Sequence, residues 1–229
     1  METCQSIIRG KMYRKNRLPN SILTIQKILQ EHHTINLNKT SDDGRVNSCL
    51  DEYEIINILL EKIPNRILKQ KVRMWNDLIV YDYYYGWLPV NIKTTTTLTS
   101  DNTGNIAMCV YAYTDEQLDI TKPYQNGNMS KIFVDKLNKQ EYNTNDKKDY
   151  YFVVVNKKNN KDIIVNSVKG LTELTPNINN LPFQICWKKN NKFKYKPIKE
   201  NVKLVINVLQ QPKPSWKEKF LYDIRAINI

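Results

Sequence analysis

The sequence contains few of the residues that build zinc sites, secretory signals or membrane spans. Histidine occurs only as the adjacent pair His32 and His33, and the four cysteines are widely spaced without a CxxC pair. A zinc site is therefore not expected. No apolar run approaches the ~20 residues that a membrane span needs, and the N-terminal segment has no apolar signal core. We expect a protein of a reducing cytoplasm without membrane partners, with Cys109 and Cys186 acting as small core hydrophobes.

Negative charge is also in deficit. Lysine and arginine number 35 against 23 aspartates and glutamates, which leaves a net charge of +12 and a pI near 9.4. This excess favours a polyanionic partner, and nucleic acid first. A lysine-rich, freely soluble protein is the alternative, since abundant Lys, Asn, Ile and Tyr can also reflect an A+T-rich coding sequence.

The length of 229 residues, with 41% hydrophobic and 25% charged residues, suits one domain with a real core. We expect a single domain over 1–229. It would comprise a helical N-terminal part (1–75), a sheet core (76–190) and C-terminal helices (191–229). The order of elements predicts an α/β (α+β) fold with a mixed β-sheet flanked by helices.

Hydrophobic periodicity predicts the individual elements. Ser48 is the expected N-cap of the second helix, Pro64 its end, and Asp101 the approximate cap of the third. The predicted helices cover 20–33, 47–63, 105–114, 129–140, 199–210 and 214–227. The predicted strands cover 76–82, 86–96, 149–158, 161–168 and 181–189, and the first two form a hairpin.

One strand carries a polar pair in an apolar context. Asn91 and Lys93 in LPVNIKTTTT lie two residues apart, so strand alternation places them on one face. Asp77 opens the preceding strand in WNDLIV. Cleavage of a phosphodiester needs a divalent cation, which takes oxygen ligands, and a lysine can orient or deprotonate the attacking water. A solvated strand lysine and a turn-capping Asp77 are the simpler interpretations.

The spacing D-x(13)-N-x-K resembles the PD-(D/E)XK nuclease motif with asparagine in place of the second acid. Three further stretches add to the resemblance. Residues 42–52 are similar to the segment in which type II restriction endonucleases begin a helix that bears a supporting glutamate. Residues 89–105 resemble the strand-to-helix passage after the catalytic lysine, and residues 165–190 resemble a late strand with a basic tail.

The resemblance implies a type II restriction endonuclease, a hydrolase that cleaves double-stranded DNA at specific sites with Mg²⁺. It implies a restriction-endonuclease-like fold, a homodimer, a bacterial cytoplasm and a DNA methyltransferase of matching specificity as the protective partner. Asp77 would bind the metal, Asn91 would stand in for the usual acid, and Lys93 would act on the attacking water. Glu52 would be the supporting acid because it shares a helix face with apolar residues, and Glu54 is the fallback.

Asn91 is the departure from the motif. An amide oxygen can bind Mg²⁺ but brings no negative charge, so the metal affinity should fall and Lys93 loses an ionic partner. Three interpretations stay open: a native amide compensated by Glu52 or another acid, an inactivating substitution, or a natural binder that does not cut. Asp82 is a rival metal ligand, ranked lower because it lies nearer the turn.

DNA contacts are expected from hydroxyl, amide and ammonium groups that can reach phosphates or base edges. The alternative for each candidate residue is an ordinary structural role in a strand that ends in solvated lysines. The candidates are Thr94, Thr95, Gln184, Lys188, Lys189 and Asn190.

Two other functions remain open at the level of sequence. One is a nuclease of the same fold that recognises DNA structure or mismatches. The other is a basic DNA-binding protein without catalysis. A preference for branched substrates would favour the first, and binding without Mg²⁺-dependent scission would favour the second.

Overall fold

The structure is a computed structural model that describes residues 17–32, 35, 37, 44–71, 74–103, 105–123, 128–177, 183–211, 222, 224 and 225. His33, Cys4 and most of the helix predicted over 214–227 lie outside this set. Within the described residues, no helix combines the length and the apolar character that crossing a membrane requires.

The helices follow the predicted periodicity, with two corrected caps. The α-helices of the described part of the chain are α1 (Asn20–Glu31), α2 (Gly44–Lys62), α3 (Ile106–Tyr113), α4 (Met129–Asn138) and α5 (Ile198–Leu209). α2 begins at Gly44, so Ser48 lies inside it, and the Ser48 Oγ accepts from Lys157 Nζ at 2.8 Å instead of capping. Asn105, and not Asp101, caps α3, because its Oδ1 accepts from the Met108 amide at 2.9 Å.

A five-stranded mixed sheet organises the molecule. Its strands are β1 (Ile67–Lys69), β2 (Leu78–Asp82), β3 (Gly86–Thr95), β5 (Tyr151–Asn156) and β6 (Asn159–Ser167), in the order β1-β2-β3-β5-β6. β3 and β5 are parallel, and the other pairs are antiparallel. The hairpin of β2 and β3 is confirmed. The short strand β1 falls within the part predicted to be helical, because three residues are too few to show a period of two.

A second sheet has three short antiparallel strands. β4 (Ser100–Asp101) and β7 (Thr175–Pro176) both pair with β8 (Phe183–Cys186). Of the strand predicted over 181–189, residues 183–186 form β8 and 187–189 belong to a turn, while 181 and 182 lie outside the described residues. Two-residue strands carry no sequence period, which explains why β4 and β7 were not predicted.

Helices cover both faces of the large sheet, so the mixed α/β architecture is confirmed. One core packs α1 and α2 against Val90, Ile92 and neighbouring strand residues. The other core packs α3, α4 and α5 against Phe152, Val154 and the second sheet. Asn91 is in register with Phe152, and Lys93 with Val154. Asn91 and Lys93 therefore share the sheet face that looks toward the second core.

Candidate active site

Asp77 lies immediately before β2, and β3 holds its carboxylate. The Asp77 amide donates to the Val90 carbonyl at 3.0 Å, and the Ile92 amide donates to the Asp77 Oδ2 at 2.7 Å. β2 and β3 pair Leu78 with Val90. One further step in this antiparallel register sets Asp77 opposite Asn91, so the 13-residue spacing brings the acid and the amide together.

Lys93 forms an ion pair with the acid that the sequence favoured. Its Nζ lies 3.0 Å from the Glu52 Oε1, and both side chains are mostly shielded from solvent. α2 supplies Glu52 across the end of the sheet, where the helix contacts β3. Glu52, rather than Glu54, is therefore the acid placed beside the lysine.

The three charged groups shift one another's protonation. Burial raises the pKa of Glu52 and of Asp77, and the positive charge of Lys93 only partly opposes this. Burial alone would lower the pKa of Lys93, but the carboxylates of Glu52 and Asp77 raise it above its ordinary value of 10.5. Lys93 is therefore a cation at neutral pH, set between two carboxyl groups that ionise less readily than usual.

The side chain of Asn91 carries an oxygen that accepts no hydrogen bond. Its Oδ1 is buried and has no hydrogen-bond partner. The Asn91 side chain lies close enough to Tyr150 to oppose, in part, the rise that burial causes in the pKa of the Tyr150 hydroxyl. The Tyr150 hydroxyl donates to the Trp75 carbonyl at 2.6 Å. An unsatisfied buried oxygen is costly in a fold, and positions of this kind often belong to functional sites.

Sequence reasoning missed a third acid at this site. Asp101 on β4 raises the pKa of both Glu52 and Lys93 through its charge. Its Oδ2 accepts from the Thr103 hydroxyl at 3.0 Å and from the Trp187 indole at 3.4 Å. No spacing rule pointed to it, because the second sheet brings it there from a polar segment that resembled a loop.

A second missed contact lies next to Glu52 on α2. Asp51 is buried, with its Oδ2 3.7 Å from Lys157 Nζ. The Thr94 hydroxyl is 3.5 Å from the same oxygen. These contacts fix α2 at the end of the sheet, and so they position Glu52. The two adjacent acids, Asp51 and Glu52, were the only signal in the sequence.

The residues present suit a hard divalent cation. Asp77 and Asn91 offer a carboxylate and an amide oxygen, and Mg²⁺ commonly takes one or two protein oxygens and completes its shell with phosphate and water. The unpartnered Asn91 Oδ1 fits a ligand role. Among the residues that the structure describes, no three His, Cys, Asp or Glu side chains are grouped to hold a metal ion. Such a site would therefore depend on the substrate for its remaining ligands.

Two of the residues predicted to contact DNA, Thr94 and Asn190, have buried side chains that bind other parts of the protein. Thr94 is 5% exposed and directs its hydroxyl toward Asp51, so it does not present that group to an external phosphate. Asn190 is fully buried, and both ends of its amide are engaged. Its Nδ2 donates to the carbonyls of Glu173 and Cys186, and its Oδ1 accepts from the Thr172 amide. Asn190 therefore holds a turn together, and its position gives no support to a contact with DNA.

The other predicted contacts reach the surface in different settings. Lys188 is exposed, and Lys189 is exposed and paired with Glu173. Gln184 donates to the Asn102 side chain at 2.7 Å, and Thr95 is half-buried near the end of β3. DNA contact by these four residues stays a prediction.

Asp82, the rival metal ligand, lies at the opposite end of the hairpin. Its carboxylate accepts from the backbone amides of Ser21, Tyr84 and Tyr85 at 2.9–3.0 Å. Burial raises its pKa, but these donors together bring the pKa below the ordinary value. Asp82 therefore joins the start of α1 to the hairpin turn and does not belong to the site around Lys93.

The structure thus brings Glu52, Asp77, Asn91 and Lys93 together and adds Asp101. Comparison with the models of known protein families and with the curated proteins finds no match to this chain. The function therefore has to be inferred from the chemistry of this constellation.

Proposed function

We propose that the protein is a Mg²⁺-dependent nuclease that cleaves phosphodiester bonds of double-stranded DNA. The observation that carries this proposal is the Lys93–Glu52 ion pair at 3.0 Å, next to Asp77 and to a buried Asn91 oxygen without a donor. The net charge of +12 supports a polyanionic substrate.

The charge of each residue in the site determines the role that we assign to it. Asp77 and Asn91 would hold the cation, which lowers the pKa of bound water and stabilises the developing negative charge. Lys93 is protonated at neutral pH, so it donates hydrogen bonds to the attacking water and offsets phosphate charge instead of removing a proton. Glu52 anchors the ammonium group on the strand face that also carries Asn91.

The finer proposal is a type II restriction endonuclease. It would act as a homodimer on a short sequence, in a bacterial cytoplasm, with a DNA methyltransferase of the same specificity. The D-x(13)-N-x-K spacing and the three resembling stretches support this, together with a mixed sheet that has helices on both faces.

Plasmid digestion with and without Mg²⁺, run beside an Asn91→Asp variant, tests the proposal. We expect discrete bands that depend on Mg²⁺, and we expect the variant to need less Mg²⁺ because a carboxylate replaces a neutral oxygen. If only the Asn91→Asp variant gives discrete bands, the protein has the structure of a nuclease but is inactive because of the amide at position 91. If neither protein cuts across varied DNA sequences, the proposal is wrong.

The main alternative is a basic DNA-binding protein without catalysis. It is favoured by one observation, the neutral amide of Asn91 at the position where the nuclease motif carries its second acid. This alternative predicts DNA binding that persists in Asn91→Asp without scission at any Mg²⁺ concentration. A structure-specific nuclease would instead cut branched or mismatched DNA faster than matched duplex.

A further inference from the structure

A cavity of about 510 Å³ opens at the turn end of the β2–β3 hairpin. The first turn of α1, the segment after α2 and the turn itself line it. Its volume lies within the range of ~300–1,000 Å³ that small-molecule sites occupy. The lining includes Arg17, Arg66 and the tyrosines at 81, 83, 84 and 85.

The electrostatics of the cavity favour an anion. Neither Arg17 nor Arg66 forms an ion pair with any residue in the described part of the chain. Asp82 is the one acid of the lining, and its ionised carboxylate is engaged by three backbone N–H groups, so the lining carries two positive side chains against one negative one. Both arginine side chains are exposed, and their planar donors match the oxygens of a phosphate.

The aromatic side chains of the cavity favour a planar group. Tyr83 is 95% exposed, although the exposure of a large aromatic side chain to water is energetically unfavourable. The rings of Tyr84 and Tyr85 meet edge to face with centroids 5.0 Å apart. Lys147 Nζ lies 4.2 Å from the Tyr84 centroid and adds a further cation. Exposed rings beside cations are typical of surfaces on which unpaired bases stack.

We infer that this cavity binds one nucleotide unit. Arg17 and Arg66 hold its phosphate, and the tyrosine rings take its base. Lys93 lies seven residues after Gly86 along β3, which is about 23 Å at ~3.3 Å per residue. The cavity is therefore distinct from the candidate active site. Its assignment to the DNA substrate rests on the proposed function, whereas the chemistry of the ligand does not.

Equilibrium binding measured in EDTA, by fluorescence anisotropy, tests the inference without any cleavage. The probes are a labelled duplex with a three-nucleotide single-stranded end, the blunt duplex of the same sequence, and dAMP as competitor. We expect the duplex with the single-stranded end to bind more tightly. Arg66→Gln, Arg17→Gln and Tyr83→Ser should each weaken that binding about tenfold, the effect of losing one phosphate contact or one stacked base.

Two matched variants control for general effects. Lys203→Gln removes an exposed cation from α5, and Tyr53→Ser removes an exposed tyrosine from α2, both outside the cavity lining. Each should change the affinity by less than threefold. The cavity variants should affect the blunt duplex less than the duplex with the single-stranded end.

The outcomes separate the sources of the ligand. If dAMP competes and the cavity variants weaken the binding of dAMP, the inference holds with a free nucleotide as the ligand. If the variants weaken only the binding of the duplex with the single-stranded end, the inference holds with a nucleotide of DNA as the ligand. Equal competition by inorganic phosphate, or wild-type affinity in Tyr83→Ser, overturns the inference. A change in oligomeric state with unchanged binding also overturns it. Failure of Mg²⁺-dependent cleavage would refute the proposed function and leave these binding results intact.

Discussion

At the scale of single residues, the protonation of Lys93 decides the chemistry that the site can perform. A lone lysine on a strand could act either as a neutral amine that accepts a proton or as an ammonium group that stabilises negative charge. Because Glu52 and Asp77 raise its pKa, Lys93 stays charged at neutral pH and acts as an electrostatic group. Burial leaves Asp77 with a raised pKa although the charge of Lys93 opposes the shift, and perturbations of this type often accompany function.

Removal of either charged group should abolish cleavage without abolishing binding. Asp77→Ala loses a metal ligand, and Lys93→Ala loses the cation beside the reacting phosphate. We expect at least a hundredfold loss of cleavage rate in each, in the range that removal of one electrostatic stabiliser costs. Plasmid cleavage and DNA affinity measured on the same preparations provide the check, with circular dichroism as the control for folding. A variant that cuts at the unaltered rate would refute the assigned role.

Asp77→Asn should make the folded protein more stable at neutral pH. The folded pKa of Asp77 lies above its ordinary value of 3.8, so the folded state binds more protons than the unfolded state between those two pKa values. Stability therefore falls as pH rises through that window and stays lower above it. An amide does not ionise and avoids this loss, while its oxygen can still accept from Ile92.

Thermal denaturation at pH 7.5 and pH 4.5 measures this effect. The advantage of Asp77→Asn should be present at pH 7.5 and smaller at pH 4.5. Asp119→Asn is the matched control, because side-chain and backbone hydrogen bonds from Thr121 lower the pKa of Asp119 and reverse the expected sign. An Asp77→Asn protein that is less stable at pH 7.5 would contradict the raised pKa.

At the scale of elements, the β2–β3 hairpin builds the site by its register. Tyr81 pairs with Trp87 and Asp82 with Gly86, so the turn length fixes which residue of β2 meets which residue of β3. Asp77 then falls opposite Asn91, with Lys93 one step farther along the same face. α2 contributes Glu52 because Asp51 and Ser48 bind Lys157 at the far end of the sheet.

Asp82→Ala should loosen the junction between α1 and the hairpin. The variant loses an ionised acceptor shared by three backbone N–H groups, those of Ser21, Tyr84 and Tyr85. We expect a loss of about 3 kcal/mol in the free energy of unfolding, measured by urea denaturation at pH 7. The pKa of Asp82 is lowered, so this contribution is lost as pH falls through the folded pKa, and the difference should shrink in acid. A loss below about 0.5 kcal/mol at pH 7 would contradict the role of Asp82 in joining α1 to the hairpin turn.

At the scale of the whole molecule, two hydrophobic cores on opposite faces hold the sheet rigid, while the surface has an excess of positive charge. The cores fix β3 between β2 and β5, so Asn91 and Lys93 lie on a supported strand. The net charge of +12 then acts over the entire surface and favours encounter with polyanions.

DNA affinity should therefore depend steeply on salt. A protein that neutralises six phosphates loses about 10³ in affinity between 50 and 200 mM salt, because the release of counterions from DNA is less favourable at the higher salt concentration. We expect a fall of that order for this chain in EDTA, measured by anisotropy against a matched duplex. Affinity that stays constant over this range would exclude phosphate neutralisation as the basis of binding.

The long helices and the central strands could be predicted from sequence because each has enough residues to show its period. α1, α5 and the pair β5 and β6 are examples. The spacing of Asp77, Asn91 and Lys93 was also visible, since a hairpin and strand alternation are local geometry. The burial of Thr94 and Asn190 was not predicted, because burial depends on which elements cover a residue and a single strand pattern does not contain that information.

The sequence by itself determined the charge, the helix and strand periods, and the polar pair at positions 91 and 93, because these depend on residues close in the chain. Only the tertiary structure decided that Glu52 pairs with Lys93, that Asp101 lies near both, and that Asn91 keeps an oxygen without a donor. Those contacts join separate segments across the sheet. Their formation depends on helix packing and on the second sheet, which no local pattern encodes.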